Sequence, residues 1–156
     1  VSETQFDPNG TMTRAMVVTI LSRMGGGVIP EAASKTFSDV EADAWYALPV
    51  TWAVENDIAK GMGNSTFAPN APITREQMAA IMYQYAKYKG YDTEAGGSLE
   101  AFQDASDGSA YAETALKWAI GHQLIAGTEK GLEPKGCATR AQVAVVLKAF
   151  DSNVKQ

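Results

Sequence analysis

Residues 67–75 read FAPNAPITR, and two other stretches follow the same pattern: residues 6–14 read FDPNGTMTR and residues 132–140 read LEPKGCATR. Each stretch has proline at its third position, ends in Thr-Arg and leads into an apolar run. The threonines at positions 13, 74 and 139 are 61 and 65 residues apart. A spacing this regular indicates repeated supersecondary units.

The Thr-Arg pairs carry the chemistry of a helix start. A threonine before an apolar, helically periodic run is a typical N-cap. The glutamines three residues after Thr74 and Thr139 complete a capping box, whereas Met16 stands at that position after Thr13. We therefore predict helices over residues 13–24, 74–88 and 139–150.

An arginine follows each capping threonine, at Arg14, Arg75 and Arg140. The N-terminus of a helix carries a partial positive charge, so a cation there typically costs a few tenths of a kcal/mol, up to about 1 kcal/mol. Meeting this cost three times needs a reason. Either each guanidinium pairs with a carboxylate of the fold, or it helps free backbone N–H groups to grip an anionic ligand.

A second kind of helix is predicted upstream of the second and third stretches. Residues 43–60 and 111–126 align at an offset of 66, which places Trp118 over Trp52 and Tyr111 over Trp45. Trp52 and Trp118 lie in the middle of apolar faces, so we expect them in the core. The sequence has no stretch in which apolar and polar residues alternate with a period of two, so we expect no β-sheet beyond a short pairing of strands. The predicted fold class is all-α.

Proline and glycine set the expected limits of these helices. Pro49 should confine the regular helix to the residues after it, or kink it. The glycines at positions 61, 63 and 127 are expected to end the helices as C-caps. The first unit lacks such a helix, so the chain holds about two and a half units.

Composition and motifs exclude several functions. The net charge of −5 leaves no basic footprint for nucleic acid, and no run of 18 apolar residues predicts membrane insertion. The single cysteine, Cys137, excludes an internal disulfide and a zinc cluster. No phosphate loop, calcium loop or nucleophile elbow is present. We therefore expect no metal, no cofactor and no enzymatic activity.

Taken together, these elements resemble the S-layer homology (SLH) motif. In the second unit the resemblance rests on residues 37–40, 52–53, 61, 67–69 and 73–76, and in the third on residues 102–104, 118–119, 127 and 139–142. It covers nearly the whole chain. It implies one domain of residues 1–156, in which tandem helix-loop-helix repeats pack as a pseudo-threefold helical bundle. The expected units are the second half of repeat 1 at residues 1–27, repeat 2 at 37–90 and repeat 3 at 102–150.

The resemblance also implies a function. SLH modules anchor proteins of the bacterial surface by binding a secondary cell-wall polysaccharide, often one with a pyruvate ketal, in grooves between repeats. The expected location is extracellular, at the cell wall or S-layer. By motif position, the contact with the anionic sugar falls on Arg14, Arg75 and Arg140. The alternative function is a helical-repeat scaffold for protein interaction or self-association, and a hydrolase acting on wall glycan is the least favoured reading.

Six further residues complete the predicted polysaccharide site: two carboxylates, two aromatic residues and two glycines. They are Asp39, Asp104, Trp45, Tyr111, Gly63 and Gly127. The aromatic rings suit the apolar face of a sugar but would also suit the core. The carboxylates could accept sugar hydroxyls, cap helices or pair with the arginines, and the glycines could expose backbone N–H groups. Because repeat 1 lacks its front half, one groove is expected to lack a wall unless residues outside this chain supply it.

Overall fold

The computed structural model describes residues 7–26, 28–34 and 36–155. Residues 1–6, with Phe6 of the first stretch, therefore lie outside the described part. The described helices are α1 (Arg14–Gly25), α2 (Ala47–Glu55), α3 (Arg75–Lys89), α4 (Glu113–Gly121) and α5 (Arg140–Asn153), with one-turn 3₁₀ helices at Ala105–Asp107 and Ala110–Ala112. Within these residues the β-structure is limited to isolated bridges. The predicted all-α class is confirmed.

Threonine caps begin α1, α3 and α5 as predicted. The Thr13 hydroxyl oxygen accepts the N–H of Met16 at 3.2 Å. Both predicted capping boxes are formed, at Thr74 with Gln77 and at Thr139 with Gln142. Each arginine therefore occupies the first position of its helix, where the sequence placed it.

The helices α2 and α4 are shorter than predicted, because two residues beyond the end of each lies a left-handed residue that is not glycine. Asp57 and Gln123 have φ angles of 55° and 56°. The N–H of the residue after each donates to the carbonyl five residues before it, at 2.8 Å in both cases. This Schellman ending stops the two helices at Glu55 and Gly121.

The glycines predicted to cap these helices lie farther along the loops, so that prediction is wrong. Gly61 and Gly127 instead leave room for the rings of Phe37 and Phe102: a β-carbon at either position would lie 2.5 Å from a ring carbon. Gly63 has a φ angle of 99° and stands in open space. Their conformational or steric roles therefore belong to the loops rather than to the helix ends.

Pro49 lies in the first turn of α2, which begins two residues before it, at Ala47. The first N–H groups of a helix have no partner within the helix, so a proline there removes no hydrogen bond. The prediction that regular helix is confined to the residues after Pro49 is therefore wrong.

Three backbone hydrogen bonds close a ring between the repeated stretches. Ile73 donates its N–H to the Met12 carbonyl at 2.8 Å, Ala138 donates to Ile73 at 2.9 Å, and Met12 donates to Ala138 at 3.0 Å. These residues occupy the same place in the three stretches, directly before the capping threonine. Each donates to one neighbour and accepts from the other, which is the pattern of a pseudo-threefold axis. Apolar residues of α1, α3 and α5 meet beside one another in the core.

The helices α1, α3 and α5 follow the ring of hydrogen bonds, and two of these three are covered by a further helix. α2 packs against α1, and α4 packs against α3. Trp52 and Trp118 are fully buried, which confirms their prediction as core residues. In the described part of the chain no helix packs on α5 in this way. Among the same residues, none of the helices has the length and hydropathy of a membrane span.

Candidate functional site

Arg14 is held by the loop that follows α2. Its Nε donates to the Phe67 carbonyl at 2.9 Å, and its Nη2 donates to the Lys60 carbonyl at 2.8 Å. The guanidinium carbon lies 4.7 Å from the centre of the Phe67 ring. Only 4% of Arg14 is exposed. The orientation of this cation is therefore fixed by the protein.

Arg75 repeats this arrangement against the next loop. Its Nε donates to the Leu132 carbonyl at 2.9 Å, and its Nη2 donates to the Ala126 carbonyl at 2.7 Å. Leu132 and Ala126 correspond to Phe67 and Lys60, so the same two loop positions supply the acceptors. The residue is 7% exposed.

These arginines take a role that neither reading of the sequence anticipated. Within the described residues, Arg14 and Arg75 form no ion pair with a carboxylate. A carbonyl carries no formal charge, so these bonds orient each guanidinium and leave it a cation. Burial lowers the pKa of both side chains, while Tyr111 and Asp39 oppose this shift at Arg14, and Glu133 and Asp104 oppose it at Arg75.

The aspartates shape the loops that the arginines contact. Asp39 accepts the N–H groups of Phe67 and Ala68 at 2.8 and 2.7 Å. Asp104 accepts the two corresponding N–H groups of its own loop at 2.8 and 2.7 Å. These backbone bonds hold the pKa of the Asp104 carboxyl below its usual value. Both side chains thus fix the loop carbonyls to which an arginine donates.

A groove of about 430 Å³ opens at Arg14, and we call it the Arg14 groove. It is bounded by the loop after α2, by one face of α3 and by the entry to α4. Its lining residues are Arg14, Asp57, Ile58, Ala59, Lys60, Gly61, Met62, Gln77, Ala80, Ile81, Gln84 and Tyr111. Tyr111 is 63% exposed, so its ring is available at the mouth of the groove. The structure therefore brings Arg14 and Tyr111 together.

A second groove, of about 380 Å³, opens at Arg140, and we call it the Arg140 groove. Its lining residues are Met12, Met16, Thr19, Ile20, Arg23, Trp45, Arg140, Val143, Ala144 and Leu147. Trp45 is 59% exposed here, in the place that Tyr111 takes in the Arg14 groove. The Arg140 side chain donates no hydrogen bond to a described residue, and the Phe6 position that matches Phe67 lies outside the described part. Within that part, this groove lacks a carbonyl loop.

The remaining predicted site residues do not line these two grooves. Arg75 has its carbonyl loop, but among the described residues no third one takes the position of Trp45 and Tyr111. Gly63 and Gly127 lie outside both linings. Of the three arginines, Arg14 alone combines a carbonyl loop with an exposed aromatic residue within the described part of the chain.

Several lining residues of the Arg14 groove were missed by sequence reasoning. Gln77 was interpreted only as a capping-box residue, and Gln84 was not singled out. The two lie seven positions apart, with Ala80 and Ile81 between them, and this spacing defines a single face of a helix. That spacing could have identified this face of α3 as a wall of the Arg14 groove.

A larger cavity, of about 830 Å³, lies under the segment that connects α3 to α4. Its lining comes from residues 95–117, and none of the predicted ligand residues belongs to it. It shares no wall with either groove.

Comparison with known proteins relates the chain to surface proteins of bacteria. The family model described as S-layer homology domain matches residues 36–79 and 101–144. The Surface-layer 125 kDa protein of Lysinibacillus sphaericus is 33% identical over 153 residues, which cover 96% of this chain and 12% of that protein. The S-layer protein sap of Bacillus anthracis is 35% identical over 139 residues, covering 88% and 16%. An endoglucanase of Bacillus sp. (strain KSM-635) is 33% identical over 150 residues, covering 96% and 16%.

The chain thus spans between 12% and 16% of the length of these three relatives. The two family matches together cover more than half of the chain. The chain belongs to the S-layer homology domain family, and it is an anchoring module of the bacterial cell surface and cell wall.

Proposed function

We propose that this chain is a non-catalytic anchoring module that binds an anionic cell-wall polysaccharide, bearing a pyruvate ketal, in the Arg14 groove. The observation that carries the proposal is a guanidinium fixed at the wall of an open groove, beside an exposed aromatic ring. A single domain with a half repeat at residues 1–27 and repeats at 37–90 and 102–150 is part of the proposal.

The Arg14 guanidinium suits an anionic ligand because its orientation is already fixed. Arginine has five N–H donors, and the carbonyls of Phe67 and Lys60 occupy two of them. No described residue accepts a hydrogen bond from the other three, and a ketal carboxylate is a planar acceptor that matches guanidinium geometry. A cation held in place before binding loses little conformational entropy when the ligand arrives.

The rest of the groove suits a sugar. Tyr111 offers an apolar ring face with a polar edge, which is how aromatic residues contact carbohydrate while remaining wet. Gln77 and Gln84 each supply an amide that both donates and accepts hydrogen bonds, matching sugar hydroxyls. In this proposal Asp39 contributes through the loop carbonyls rather than by contact with the ligand.

We assign smaller roles to the other two arginines. The Arg140 groove has its aromatic residue, Trp45, but within the described part it lacks a carbonyl loop. The region of Arg75 has the loop, but none of the residues that the structure describes there is a matching aromatic one. We therefore expect most of the affinity to come from the Arg14 groove.

Sedimentation with purified wall sacculi tests this function. The wild-type chain should sediment with intact sacculi and remain in solution once acid treatment has removed the polysaccharide. Tyr111→Ala should weaken binding without loss of fold, because the residue is 63% exposed. Arg14→Gln should weaken it by about 1.5–3 kcal/mol, the range for a hydrogen bond to a charged group. Equal binding of wild type to stripped and intact sacculi would contradict the proposal.

Arg140→Gln serves as the matched control in this experiment. It removes the same charge from the same helix position, and we expect a smaller effect on binding. Because Arg14 also holds a loop, each variant is first shown to be folded by circular dichroism at the temperature of the assay.

A second candidate function is a scaffold that associates with itself or with another protein. The observation in its favour is the exposed apolar surface of α5, where Ala144 is exposed and Val145 is 66% exposed. Sedimentation equilibrium over a range of chain concentrations would reveal association, and Val145→Glu should abolish it.

A further inference from the structure

Glu76 is a buried carboxylate at a position where the other units have alanine. It is the second residue of α3, and the matching residues are Ala15 in α1 and Ala141 in α5. Only 3% of Glu76 is exposed. A buried carboxylate is costly unless it is paired and hydrogen-bonded. The departure from alanine therefore needs its own explanation.

Glu76 is fully engaged by residues of the third unit. Its Oε1 accepts from the Lys135 Nζ at 2.6 Å and from the Ser109 hydroxyl at 2.9 Å, and its Oε2 accepts the Ser109 N–H at 2.8 Å. The Tyr111 hydroxyl lies 3.4 Å from the same Oε1. The carboxylate thus connects α3 to the segment that enters α4 and to the loop before α5.

The contact with Tyr111 reaches the Arg14 groove. The Tyr111 ring lines that groove, and its hydroxyl lies under the opposing influence of the Glu76 carboxylate and the Arg14 guanidinium. A carboxylate paired with lysine is ionised and can only accept a hydrogen bond, so the proton of the Tyr111 hydroxyl points to Glu76. The lone pairs of the phenol oxygen take no part in that contact.

We propose that Glu76 is a positioning residue for glycan recognition, which holds Tyr111 so that its oxygen accepts a hydrogen bond from a sugar hydroxyl. This inference rests on the proposed function of the Arg14 groove. Together the two groups specify a ligand with a carboxylate at Arg14 and a hydroxyl donor at Tyr111. The Arg140 groove has Ala15 in place of Glu76 and Trp45 in place of Tyr111, and neither supplies such an acceptor.

A double-mutant cycle on binding to wall polysaccharide tests the inference. Glu76→Gln keeps the shape of the side chain but ends the fixed acceptor role, and it should weaken binding about three- to tenfold, the range for one hydrogen bond. Tyr111→Phe removes only the hydroxyl and should have a similar effect. In the Tyr111→Phe background, Glu76→Gln should have no further effect. Two effects that multiply independently would overturn the inference.

Glu113→Gln is the matched control. Glu113 is also a carboxylate paired with a lysine, Lys117, and it is the first residue of α4, the helix whose entry Glu76 contacts. It does not line the Arg14 groove. Its substitution should leave affinity within twofold of wild type. An equal loss in Glu113→Gln would mean that Glu76 acts only through general stability, which overturns the positioning role.

A second readout does not depend on glycan. The titration of Tyr111 is obtained from ultraviolet difference spectra between each protein and its Tyr111→Phe counterpart. The pKa of Tyr111 is raised by the partial removal of its hydroxyl from solvent and then by Glu76, so Glu76→Gln should move the titration to lower pH. An unchanged titration would refute the contact itself. If the wild-type chain does not bind polysaccharide, the proposed function is wrong. If the wild type binds and Glu76→Gln binds equally well, only the inference about Glu76 is wrong.

Discussion

At the scale of the residue, the arginines at the first helical position are explained by the strength of their side-chain bonds. A cation at a helix N-terminus costs a few tenths of a kcal/mol, up to about 1 kcal/mol. A hydrogen bond that involves a charged group contributes about 1.5–3 kcal/mol. Arg14 and Arg75 each donate two such bonds to carbonyls of the following loop. These bonds offset the cost of a cation at the helix N-terminus and part of the cost of burying it, so arginine has a structural role at these positions even without a ligand.

The difference between Arg75 and Arg140 gives the first prediction. Arg75→Met leaves the carbonyls of Leu132 and Ala126 without their donor, and we expect the free energy of unfolding to fall by about 2–4 kcal/mol. Arg140→Met removes no hydrogen bond to a described residue and should cost less than about 1 kcal/mol. Urea unfolding of both variants measures the difference. Equal losses would show that Arg140 also has a buried partner.

Glu76 gives a prediction about pH. Burial alone would raise its pKa, but the bonds from Lys135 and Ser109 outweigh this effect and leave the pKa lowered. Between the folded pKa and the unfolded value of about 4.3, the unfolded chain binds more protons, so stability rises with pH. The contribution is present above that value and is lost as the pH falls through the folded pKa.

We therefore expect Glu76→Gln to flatten the dependence of the free energy of unfolding on pH in the acid range. Urea unfolding at neutral pH and at several acid pH values measures the slope. Glu113→Gln removes an exposed ion pair that solvent screens, and it should leave the slope nearly as in wild type. A slope unchanged by Glu76→Gln would contradict the assignment.

At the scale of the element, the helices that the sequence predicted well are those with readable caps. The starts of α1, α3 and α5 could be predicted because each has a threonine N-cap, whose hydrogen-bond partner is three residues away in the sequence. The ends of α2 and α4 were missed because Asp57 and Gln123 adopt a conformation that usually indicates glycine. What holds them there is the burial of the next residue, Ile58 or Leu124 in each case, and such tertiary packing is not written in local sequence.

The strain at Gln123 gives a prediction for this element. A left-handed φ costs an L-residue about 1–2 kcal/mol, and glycine avoids this cost. Glycine also makes the unfolded chain more flexible, which lowers the stability of the fold by about 0.4–1 kcal/mol. Gln123→Gly should therefore stabilise the fold by roughly 0.5–1 kcal/mol, or raise the melting temperature by about 1–4 °C. Thermal unfolding followed by circular dichroism measures this change.

Gln123→Ala is the control, since it shortens the side chain and keeps the strain, so its melting temperature should stay close to that of wild type. A loss of stability in Gln123→Gly would mean that the side chain makes a favourable contact that outweighs the backbone cost.

The candidate site was predicted in part, for reasons of the same kind. The repeated Thr-Arg pairs identified the arginines, and the register of the repeats placed Trp45 and Tyr111 in matching positions. The partners of Arg14 are backbone carbonyls, which every residue has, so no sequence pattern could identify them. Glu76 was visible as a departure from Ala15 and Ala141, but the residues that satisfy it lie 33 and 59 positions away.

At the scale of the whole molecule, the ring at the pseudo-threefold axis is complete while the outer layer is not. Met12, Ile73 and Ala138 close the ring with three equivalent hydrogen bonds. Outside it, α2 covers α1 and α4 covers α3, whereas the described part of the chain provides no such cover for α5. One surface of a core helix is therefore left in contact with solvent or with a partner.

Ala79 in α3 and Ala144 in α5 occupy matching positions and test this asymmetry with one substitution. Ala79 is 1% exposed, and Ala144 is exposed. Glutamine has nearly the helix propensity of alanine, so the backbone contributes little to the comparison. Ala79→Gln places a larger polar group in a packed site and should lower the free energy of unfolding by about 2–4 kcal/mol. Ala144→Gln should change it by less than about 0.5 kcal/mol, as for an exposed position.

Urea unfolding at low and high chain concentration distinguishes an open α5 surface from a covered one. If Ala144→Gln costs little at every concentration, the surface is exposed to solvent in the isolated chain. If it costs as much as Ala79→Gln, and does so only at high concentration, copies of the chain cover α5 by association. If Ala144→Gln costs as much as Ala79→Gln at all concentrations, Ala144 is buried within the single chain. That result would contradict the exposure of α5.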